Sequence, residues 1–487
     1  MWTYLKENIW SILLGINYIL VVVFSILILL KNKNPVKTFS YLFALAVFPF
    51  LGLLVYYLFG QNYRKSKIFE KKYILDNAKI NGWRKKFSID EEEREDFQDE
   101  YGDGIFKIYK LLKSNEKAIL TFNNDLEILV NGEEKFARLR ADLDKAESHI
   151  HMEYFALSDD ELGTEILNVL CSKAKKGVKV RLIYDDVGSN ISSRMKGKMT
   201  KCGVQHYPFM PVLFSNHTSK INYRNHRKIV IIDGHIGYLG GINLESKYDN
   251  TYNNERFWRD THLRVKGNGV GSLQALFLLS WNFAAKKEME IGRELFPKNK
   301  PGASSPKAIQ IAASGPDSDW ANIMEAIFCA ITMAEERIYI TSPYFMPNDS
   351  ILTALTTAAR SGVDVRVIIP YDSDSWAAQY ATDSYIEECL LSGIRIFRYT
   401  KGFLHAKTIL IDNMFSTIGT ANMDYRSFSI NFEVNAMIYD SAINQEMAKI
   451  FLKDLKECEE VELERWRERN IARRFQESFG RLWAPLL

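Results

Sequence analysis

Two short segments of the sequence repeat a histidine and a lysine at the same spacing. His226 is followed two residues later by Lys228, and His405 is followed by Lys407. One imidazole can attack phosphorus and form a covalent intermediate, and a second imidazole can protonate the leaving alkoxide. Two lysines can neutralise the charge on the phosphoryl oxygens. If the two segments come together, they predict transfer at a phosphodiester that needs no metal ion and no other cofactor.

An aspartate completes each segment. Asp233 and Asp412 each lie five residues after the lysine, and the apolar run 229–232 before Asp233 predicts a strand buried on both faces. At about 3.3 Å per residue, the aspartate lies roughly 16 Å beyond the lysine. We therefore keep both aspartates in the candidate catalytic set but expect them to have a structural role, whereas His226 and Lys228 are expected to contact phosphate.

The two segments belong to a longer internal repeat. Residues 150–155 resemble residues 340–345, and residues 176–183 resemble residues 361–368. A repeat of this length is a duplicated domain and not a solenoid unit. Helical stretches alternate with runs of β-branched residues, which predicts α/β halves built on sheets covered by helices. We expect two such halves to pack as a pseudo-two-fold pair.

Composition places the boundaries of these halves. The predicted first half is 115–295 and the predicted second half is 307–487, joined by a linker at 296–306 that contains proline and glycine. Residues 61–114 are strongly charged and are interpreted as a solvated, partly helical connector.

Two uncharged runs of 22 residues precede the connector. Residues 9–30 and 38–59 are each long enough to cross a bilayer core of about 30 Å as a helix. The short link 31–37 permits only a tight hairpin, and the apolar part of a cleaved signal peptide would be shorter. Six lysines and arginines flank the outer ends of the hairpin against three in the link. This imbalance predicts a two-helix protein of the cell membrane whose N-terminus and catalytic domain are cytoplasmic.

The overall composition argues against several other classes of protein. The 63 lysines and arginines nearly balance the 60 aspartates and glutamates, so the net charge gives no reason to expect a nucleic-acid partner. The five cysteines are odd in number and scattered, which is typical of reduced thiols. The other six histidines lack the spacings of zinc ligands, and no metal site is predicted.

The repeated segments resemble the HKD motifs of the phospholipase D superfamily. Glycine-containing segments at 240–243 and 419–422 begin seven residues after each motif aspartate, as they do in that family. The resemblance implies that His226 and His405 are the catalytic pair, with His226 as nucleophile and His405 as acid. It also implies four supporting residues, two around the phosphate and two carboxylates that each orient a histidine: Asn243, Asn422, Asp260 and Glu433.

Further segments are similar to bacterial cardiolipin synthases over nearly the whole chain. They are residues 49–60, 222–228, 341–345 and 481–487. This resemblance implies a transferase that joins two phosphatidylglycerol molecules in the bilayer into cardiolipin and releases glycerol. The sequence departs from the family pattern at 244–247, where a Gly-Asp-like pair is expected after the asparagine; that difference bears on headgroup and acceptor recognition.

Other functions compatible with the motifs are a membrane phospholipase D that uses water as acceptor and a transferase that makes phosphatidylserine. A catalytically silent membrane scaffold is disfavoured because both motifs are intact. A nuclease of the same superfamily is disfavoured by the predicted membrane hairpin and the nearly neutral charge.

The end of the chain predicts an amphipathic helix within 466–483. It combines five arginines with apolar residues at helical spacing, which are Ile471, Phe475, Phe479 and Leu482. Such a helix suits either of two positions. It could lie on an anionic lipid surface, or it could pack on the catalytic core.

Overall fold

The computed structural model describes residues 8–31, 35–47, 52, 80, 82, 87, 89–116, 118–211, 223–297, 307–318 and 320–484. The chain divides into two compact units. One unit comprises Met1–Ile74 with Leu213–Asn222, and the other comprises Leu75–Val212 with Tyr223–Leu487.

The described part of the first unit contains two helices, α1 (Ile9–Lys31) and α2 (Pro35–Val47). The first agrees with the predicted run 9–30. The second has 13 residues and covers the first part of the predicted run 38–59, of which residues 48–51 and 53–59 lie outside the described residues. Among the described residues, no helix combines the length and apolarity that a membrane crossing requires.

The described end of the connector is not a solvated linker. Helix α3 (Glu91–Glu116) is kinked at Gly102, where φ is 79°, and its acidic first turn faces solvent. Its apolar side, including Phe97, Ile108 and Leu112, is buried in the core of the second half. The charge run therefore covers only one face of α3, and the other face packs into the core of the second half. Residues 61–79 lie outside the described residues.

The second unit contains both repeated motifs and is called the catalytic unit below. Its first half is built on seven strands in the order β4-β3-β2-β5-β6-β8-β1. They are β1 (Leu120–Val130), β2 (His149–Tyr154), β3 (Lys179–Asp185), β4 (Gln205–Phe209), β5 (Ile229–Ile232), β6 (Ile236–Gly240) and β8 (Thr261–Gly267), with the short β7 (Phe257–Arg259) outside this sheet. The helices are α4 (Asn131–Asp144), α5 (Glu161–Lys175), α6 (Ser193–Cys202) and α7 (Val270–Ala285).

The second half repeats this order as β12-β11-β10-β14-β15-β16-β9, and β17 lies beside β12 at the edge. Its strands are β9 (Lys307–Ser314), β10 (Arg337–Thr341), β11 (Asp364–Pro370), β12 (Arg395–Tyr399), β13 (Gly402–Leu404), β14 (Thr408–Ile411), β15 (Phe415–Gly419), β16 (Glu433–Tyr439) and β17 (Cys458–Glu460). Its helices are α8 (Asn322–Thr332), α9 (Asp349–Arg360), α10 (Trp376–Leu391), α11 (Tyr425–Ser429), α12 (Ser441–Leu455), α13 (Leu463–Arg467) and α14 (Ile471–Trp483).

Antiparallel pairing of β1 with β9 joins the halves into one sheet of 15 strands. The mirrored strand order on the two sides of this junction confirms the predicted α/β fold with two tandem halves. The central strands are buried on both faces, as β5 and β14 show, because helices cover the sheet.

The strand register corrects one detail of the predicted repeat. Ile150 pairs with Val180, and Ile338 pairs with Val365, which occupies the equivalent position in the second half. The structural counterpart of Ile150 is therefore Ile338 and not Ile340, as the sequence comparison had aligned it. A shift of two residues keeps each side chain on the same face of the strand, so the apolar pattern did not reveal the error.

The prediction of five reduced cysteines is wrong for one pair. Cys171 on α5 and Cys202 at the end of α6 form a disulfide, with their Cα atoms 5.3 Å apart. The two helices pack side by side and bring together residues that are 31 positions apart in the sequence. Cys329, Cys389 and Cys458 are free thiols.

Candidate active site

The first motif histidine lies in an extended segment that pairs with the opposite half. The backbone N–H of His226 donates to the carbonyl of Phe432 at 2.9 Å, and the N–H of Phe432 donates to the carbonyl of Arg224 at 2.9 Å. Strand β5 begins only at Ile229, so His226 and Lys228 lie just before the strand.

The second motif histidine is held in the same way. Strands β7 and β13 pair in parallel, one from each half, and His405 follows directly after β13. Its backbone N–H donates to the carbonyl of Arg259 at 2.7 Å. In both halves the accepting carbonyl belongs to the residue just before a buried carboxylate, which is Glu433 or Asp260. The backbone pairing therefore delivers each histidine to a carboxylate of the other half.

Each histidine ring contacts that carboxylate through Nδ1. The two oxygens of Glu433 lie 2.9 and 3.0 Å from Nδ1 of His226, and Oδ2 of Asp260 lies 2.7 Å from Nδ1 of His405. A carboxylate that accepts the Nδ1 proton fixes the neutral tautomer in which Nε2 keeps its lone pair. Both carboxylates thus have the orienting position that the resemblance implied, and the structure adds that each contact crosses between halves.

The two carboxylates have different surroundings. Glu433 also accepts hydrogen bonds from the hydroxyls of Thr420 at 2.6 Å and Ser427 at 2.9 Å. Burial alone would raise the pKa of Glu433, but the facing His226, together with Lys228 and these hydrogen bonds, holds it below its usual range. Burial instead dominates at Asp260 and raises its pKa to about 6. One pair therefore contains a firmly ionised carboxylate, and the other binds a proton near pH 6.

Both histidine side chains are buried, and burial lowers their pKa values. The pKa of His226 falls to about 4, although Glu433 opposes the change. The pKa of His405 lies well below its usual range because burial acts together with the charges of Lys407 and Lys228. Both imidazoles are accordingly neutral at pH 7, which a nitrogen nucleophile requires.

The motif lysines are also buried, and each bonds to its own histidine. The Nζ atom of Lys228 donates to the backbone carbonyl of His226 at 2.7 Å, and Lys407 makes the equivalent bond to His405. Burial lowers the pKa of Lys228 to about 7 and that of Lys407 to about 8. An ammonium has three N–H groups, so this single bond leaves donors for phosphoryl oxygens.

The two predicted asparagines make bonds within the protein. The amide of Asn243 accepts from the backbone N–H of Ala156 at 3.1 Å and donates to the hydroxyl of Tyr248 at 2.7 Å. Asn422 donates to Asp424 at 3.0 Å, while its buried Oδ1 has no hydrogen-bond partner among the described residues. These contacts favour a role in supporting the site over direct contact with phosphate.

The motif aspartates lie at turns, where their oxygens accept backbone N–H groups. Asp233 accepts from residues 147, 148 and 149 at 2.8–2.9 Å. Asp412 accepts from residues 335, 336 and 337 at 2.8–3.3 Å. Both have positive φ, 53° and 48°, in a region that aspartate tolerates better than most residues. Each aspartate thus ties the end of β5 or β14 to the start of the neighbouring strand β2 or β10.

Sequence reasoning missed the aromatic walls of the site. The rings of Tyr248 and Trp258 lie 5.5 and 5.7 Å from the ring of His405, and Phe155 lies 4.9 Å from His226. These residues come from three separate loops or strands, and no spacing in the sequence relates them to the motifs. Trp258 had one available signal, since it lies two residues before Asp260.

Comparison with protein families matches a part of each half that contains the motif of that half. A family model described as cardiolipin synthase, PLD-like domain, matches twice, at residues 139–264 and 327–455. A model described as phospholipase D-nuclease N-terminal matches residues 19–61.

Several curated proteins are similar along nearly their whole length. Cardiolipin synthase 2 of Bacillus anthracis is 41% identical over 461 residues, which cover 94% of this chain and 88% of that protein. The cardiolipin synthase of Halalkalibacterium halodurans is 40% identical over 506 residues, which cover 99% of this chain and 96% of that protein. Among solved structures, a phosphatidylserine synthase of Haemophilus influenzae has a TM-score of 0.57 at 14% identity and covers 74% of this chain and 95% of its own. That likeness shows a shared fold.

Proposed function

Because the chain belongs to the cardiolipin synthase family, with its duplicated phospholipase D-like domain, we propose that it joins two phosphatidylglycerol molecules into cardiolipin and releases glycerol. The observation that carries this proposal is the pair of buried histidines, each oriented through Nδ1 by a carboxylate of the other half. A site with two imidazoles suits a reaction in two transfers, since one imidazole holds the phosphatidyl group while the other moves the proton.

In the first transfer, Nε2 of His226 attacks the phosphorus of phosphatidylglycerol. The reaction starts from the form in which the Asp260–His405 pair carries one extra proton. The bond from phosphorus to the glycerol oxygen breaks, and this proton passes from Nε2 of His405 to that oxygen as glycerol leaves. In the second transfer, a glycerol hydroxyl of another phosphatidylglycerol attacks the phosphohistidine and gives its proton to His405. The nitrogen–phosphorus bond breaks, and cardiolipin leaves with both histidines restored.

The proton affinities of the two pairs support this division of roles. The general acid must carry an extra proton near neutral pH, and the Asp260–His405 pair takes up a proton near pH 6. The nucleophile must stay unprotonated, and the pKa of His226 is about 4. The motif lysines neutralise the phosphoryl oxygens in both transfers, and Glu433 stabilises the positive charge that His226 acquires when it attacks.

Analysis of the products tests this function. The full-length protein is placed in phosphatidylglycerol vesicles, and the lipids and free glycerol are measured by mass spectrometry. We expect cardiolipin and glycerol as the main products, because a bound lipid alcohol in attack geometry outcompetes water. Added glycerol should regenerate phosphatidylglycerol from cardiolipin, since the reaction exchanges one phosphodiester for another.

Two other outcomes would contradict the proposal. Phosphatidic acid as the main product, with no reversal by glycerol, would identify a phospholipase D. Formation of phosphatidylserine from added serine in preference to cardiolipin would identify a different transferase.

We also propose that residues 1–60 anchor the protein in the cell membrane as two spans, with the catalytic unit in the cytoplasm. The support is the sequence, which has two uncharged runs of 22 residues and more positive residues outside the hairpin than within it. Large apolar side chains on α1, such as Ile19 and Leu30, are exposed. The Cys171–Cys202 disulfide argues against a cytoplasmic catalytic unit, since disulfides persist mainly in oxidising compartments.

Cysteine labelling in intact cells decides the topology. A cysteine replaces Asn62 in a chain whose native cysteines have been substituted, and an impermeant maleimide is added before or after permeabilisation. We expect labelling only after permeabilisation. Labelling of unpermeabilised cells would place the catalytic unit outside.

A further inference from the structure

The C-terminal helix α14 presents its apolar side chains to solvent. Four of them form the apolar stripe of α14: Ile471, Phe475, Phe479 and Leu482. Ile471 is 86% exposed, Phe475 71% and Leu482 74%. A helix on the surface of a soluble domain normally buries its apolar face and exposes its charged face. This helix has the opposite arrangement.

Polar contacts hold α14 against α10 in this orientation. Arg473 donates to Asp383 at 2.6 Å, and Arg481 donates to Glu388 at 3.1 Å. The helices approach so closely at Gly480 that an added Cβ would lie 2.9 Å from the backbone of α10. The guanidinium groups of Arg473 and Arg481 also lie 4.3 Å from tyrosine rings of α10. These specific contacts fix the charged face inward, so the outward stripe is a property of the fold.

The apolar surface continues from α14 onto the start of α10. Trp376, which is 70% exposed, lines a surface cavity of about 370 Å³ together with Tyr380, Gln476 and Phe479. Trp483, at the end of α14, is half exposed. Tryptophans at the edge of an apolar patch are typical of surfaces that meet the interface between lipid and water.

Asp374 relates this surface to the active site, since its charge acts to raise the pKa values of Tyr248 and Lys407. Trp376 lies two residues after Asp374, which accepts a hydrogen bond of 2.7 Å from the hydroxyl of Tyr344. Tyr344 interacts electrostatically with Tyr248, whose ring lies 5.5 Å from the ring of His405. The start of α10, which carries Trp376, therefore lies near the residues that surround His405.

We propose that the apolar stripe of α14 and Trp376 dock on the lipid bilayer and hold the active site at the membrane surface. This inference rests on the proposed function, which requires substrates that reside in the bilayer. The positive charge of Arg474, which is exposed beside the stripe, fits an anionic lipid surface. A stripe of aromatic and aliphatic residues flanked by arginine is typical of helices that lie in the lipid interface.

Photo-crosslinking identifies what covers the stripe. A photo-reactive benzoylphenylalanine replaces Phe475 in the full-length protein, which is reconstituted in phosphatidylglycerol vesicles and irradiated. We expect a covalent adduct with the mass of one phospholipid. A matched control carries the same amino acid in place of Phe328, an exposed phenylalanine on α8, where we expect at most about a tenth of the lipid adduct.

The possible adducts separate the docking inference from the alternatives. A crosslinked dimer of the chain, without a lipid adduct, would show that a second copy covers the stripe and would overturn the inference. Lipid adducts of equal yield at positions 475 and 328 would also overturn it. Because crosslinking does not depend on catalysis, a lipid adduct at 475 in a protein that makes no cardiolipin would refute the proposed function and leave the docking surface intact.

Activity on two forms of substrate gives a second test. The double variant Phe475→Ser, Phe479→Ser retains the polar contacts with α10 and should fold. We expect its rate on vesicles, relative to its rate on detergent-dispersed phosphatidylglycerol, to fall about tenfold or more, since the lipid contact loses two phenylalanine side chains. Leu452→Ser, at an exposed position on α12, should leave this ratio unchanged. An unchanged ratio in the double variant would contradict the proposal.

Discussion

The two halves of the active site share one backbone design but differ in their proton chemistry. In each half the histidine N–H bonds to the carbonyl just before the opposite carboxylate, and the lysine bonds to the carbonyl of its own histidine. The carboxylates nevertheless diverge. The pKa of Glu433 is lowered, whereas that of Asp260 is raised to about 6. The two halves share this geometry, and the different surroundings of the two carboxylates give them different proton affinities.

The interactions that oppose burial differ between the two carboxylates. At Glu433 the facing His226, Lys228 and a hydroxyl donor outweigh burial, whereas at Asp260 burial outweighs Lys407 and the other lowering influences. Glu433 receives two hydroxyl hydrogen bonds in addition to the contact with its histidine, from Thr420 and Ser427. Asp260 receives a backbone N–H from Thr261 at 2.7 Å, and burial remains the dominant influence on its pKa. A symmetric fold can therefore contain two carboxylates with different pKa values, because the charges and donors around them differ.

The largest expected effect separates the two histidines. His226→Ala and His405→Ala should each lower turnover of phosphatidylglycerol by about 10³-fold or more. With a phosphatidyl donor whose leaving group is p-nitrophenol, no proton is needed for departure. His405→Ala should then release nitrophenol in an initial burst near the wild-type rate, whereas His226→Ala should release none.

The burst is measured by stopped-flow absorbance, with circular dichroism to verify that both variants are folded. If the activated donor rescues His226→Ala instead, the roles of the two histidines are exchanged. Rescue of both variants would show that neither histidine forms the covalent intermediate.

The carboxylates should act on opposite limbs of the pH profile. Glu433→Gln removes the charge that raises the pKa of His226, so the acidic limb of kcat/KM should move to lower pH. Asp260→Asn removes the group whose pKa is about 6, so the alkaline limb should move to lower pH. Each variant should also lose about 10–100-fold in rate, because its histidine is no longer oriented.

These shifts are read from kcat/KM between about pH 3 and pH 9 with detergent-dispersed substrate, since the pKa of His226 is about 4. If Glu433→Gln and Asp260→Asn moved the same limb of the pH profile, the proposed difference between the two histidine–carboxylate pairs would be wrong. Since neither substitution changes the size of the side chain, a matching loss of thermal stability in both would indicate a packing defect instead.

Replacement of either motif lysine should stabilise the folded protein. Burial lowers their pKa values from the usual 10.5, so the folded protein binds fewer protons than the unfolded chain up to about pH 10.5. Each buried charge therefore opposes folding fully below its folded pKa, and the penalty disappears as the pH rises towards 10.5. Lys228→Met should raise the midpoint of thermal unfolding at pH 7 by roughly 2–5 °C, and Lys407→Met should raise it as well, while both abolish turnover.

Differential scanning calorimetry at pH 7 and pH 10 measures this effect. The gain should be larger at pH 7 than at pH 10 for both variants. A lower midpoint at pH 7 would show that the attraction of Glu433 and Asp260 for the lysines outweighs the cost of their burial.

The sequence predicted the paired motifs and the tandem halves because both depend on local patterns. The alternation of helices with β-branched runs specified the strands, and the spacing of the motifs identified the histidines. The contacts between halves could not be derived in this way. The contact between His226 and Glu433 joins residues 207 positions apart. It depends on a parallel backbone bridge between their neighbours Asn225 and Phe432. The outward stripe of α14 was also hidden, because periodicity specifies an apolar face but not which face packs.

The smallest expected effect on catalysis concerns the motif aspartates, where the two halves should behave alike. Asp233→Asn and Asp412→Asn each replace a charged acceptor of three backbone N–H groups by a neutral one, far from the reacting atoms. Hydrogen bonds to a charged group each contribute about 1.5–3 kcal/mol, so each substitution should lower the free energy of unfolding by about 2–3 kcal/mol. The folded fraction should keep nearly the wild-type turnover. Denaturant titration and the specific activity of the folded protein check this. A stable Asp233→Asn protein as inactive as His226→Ala would show that the turn reaches the site, and unequal effects of the two variants would show that the halves have diverged here as well.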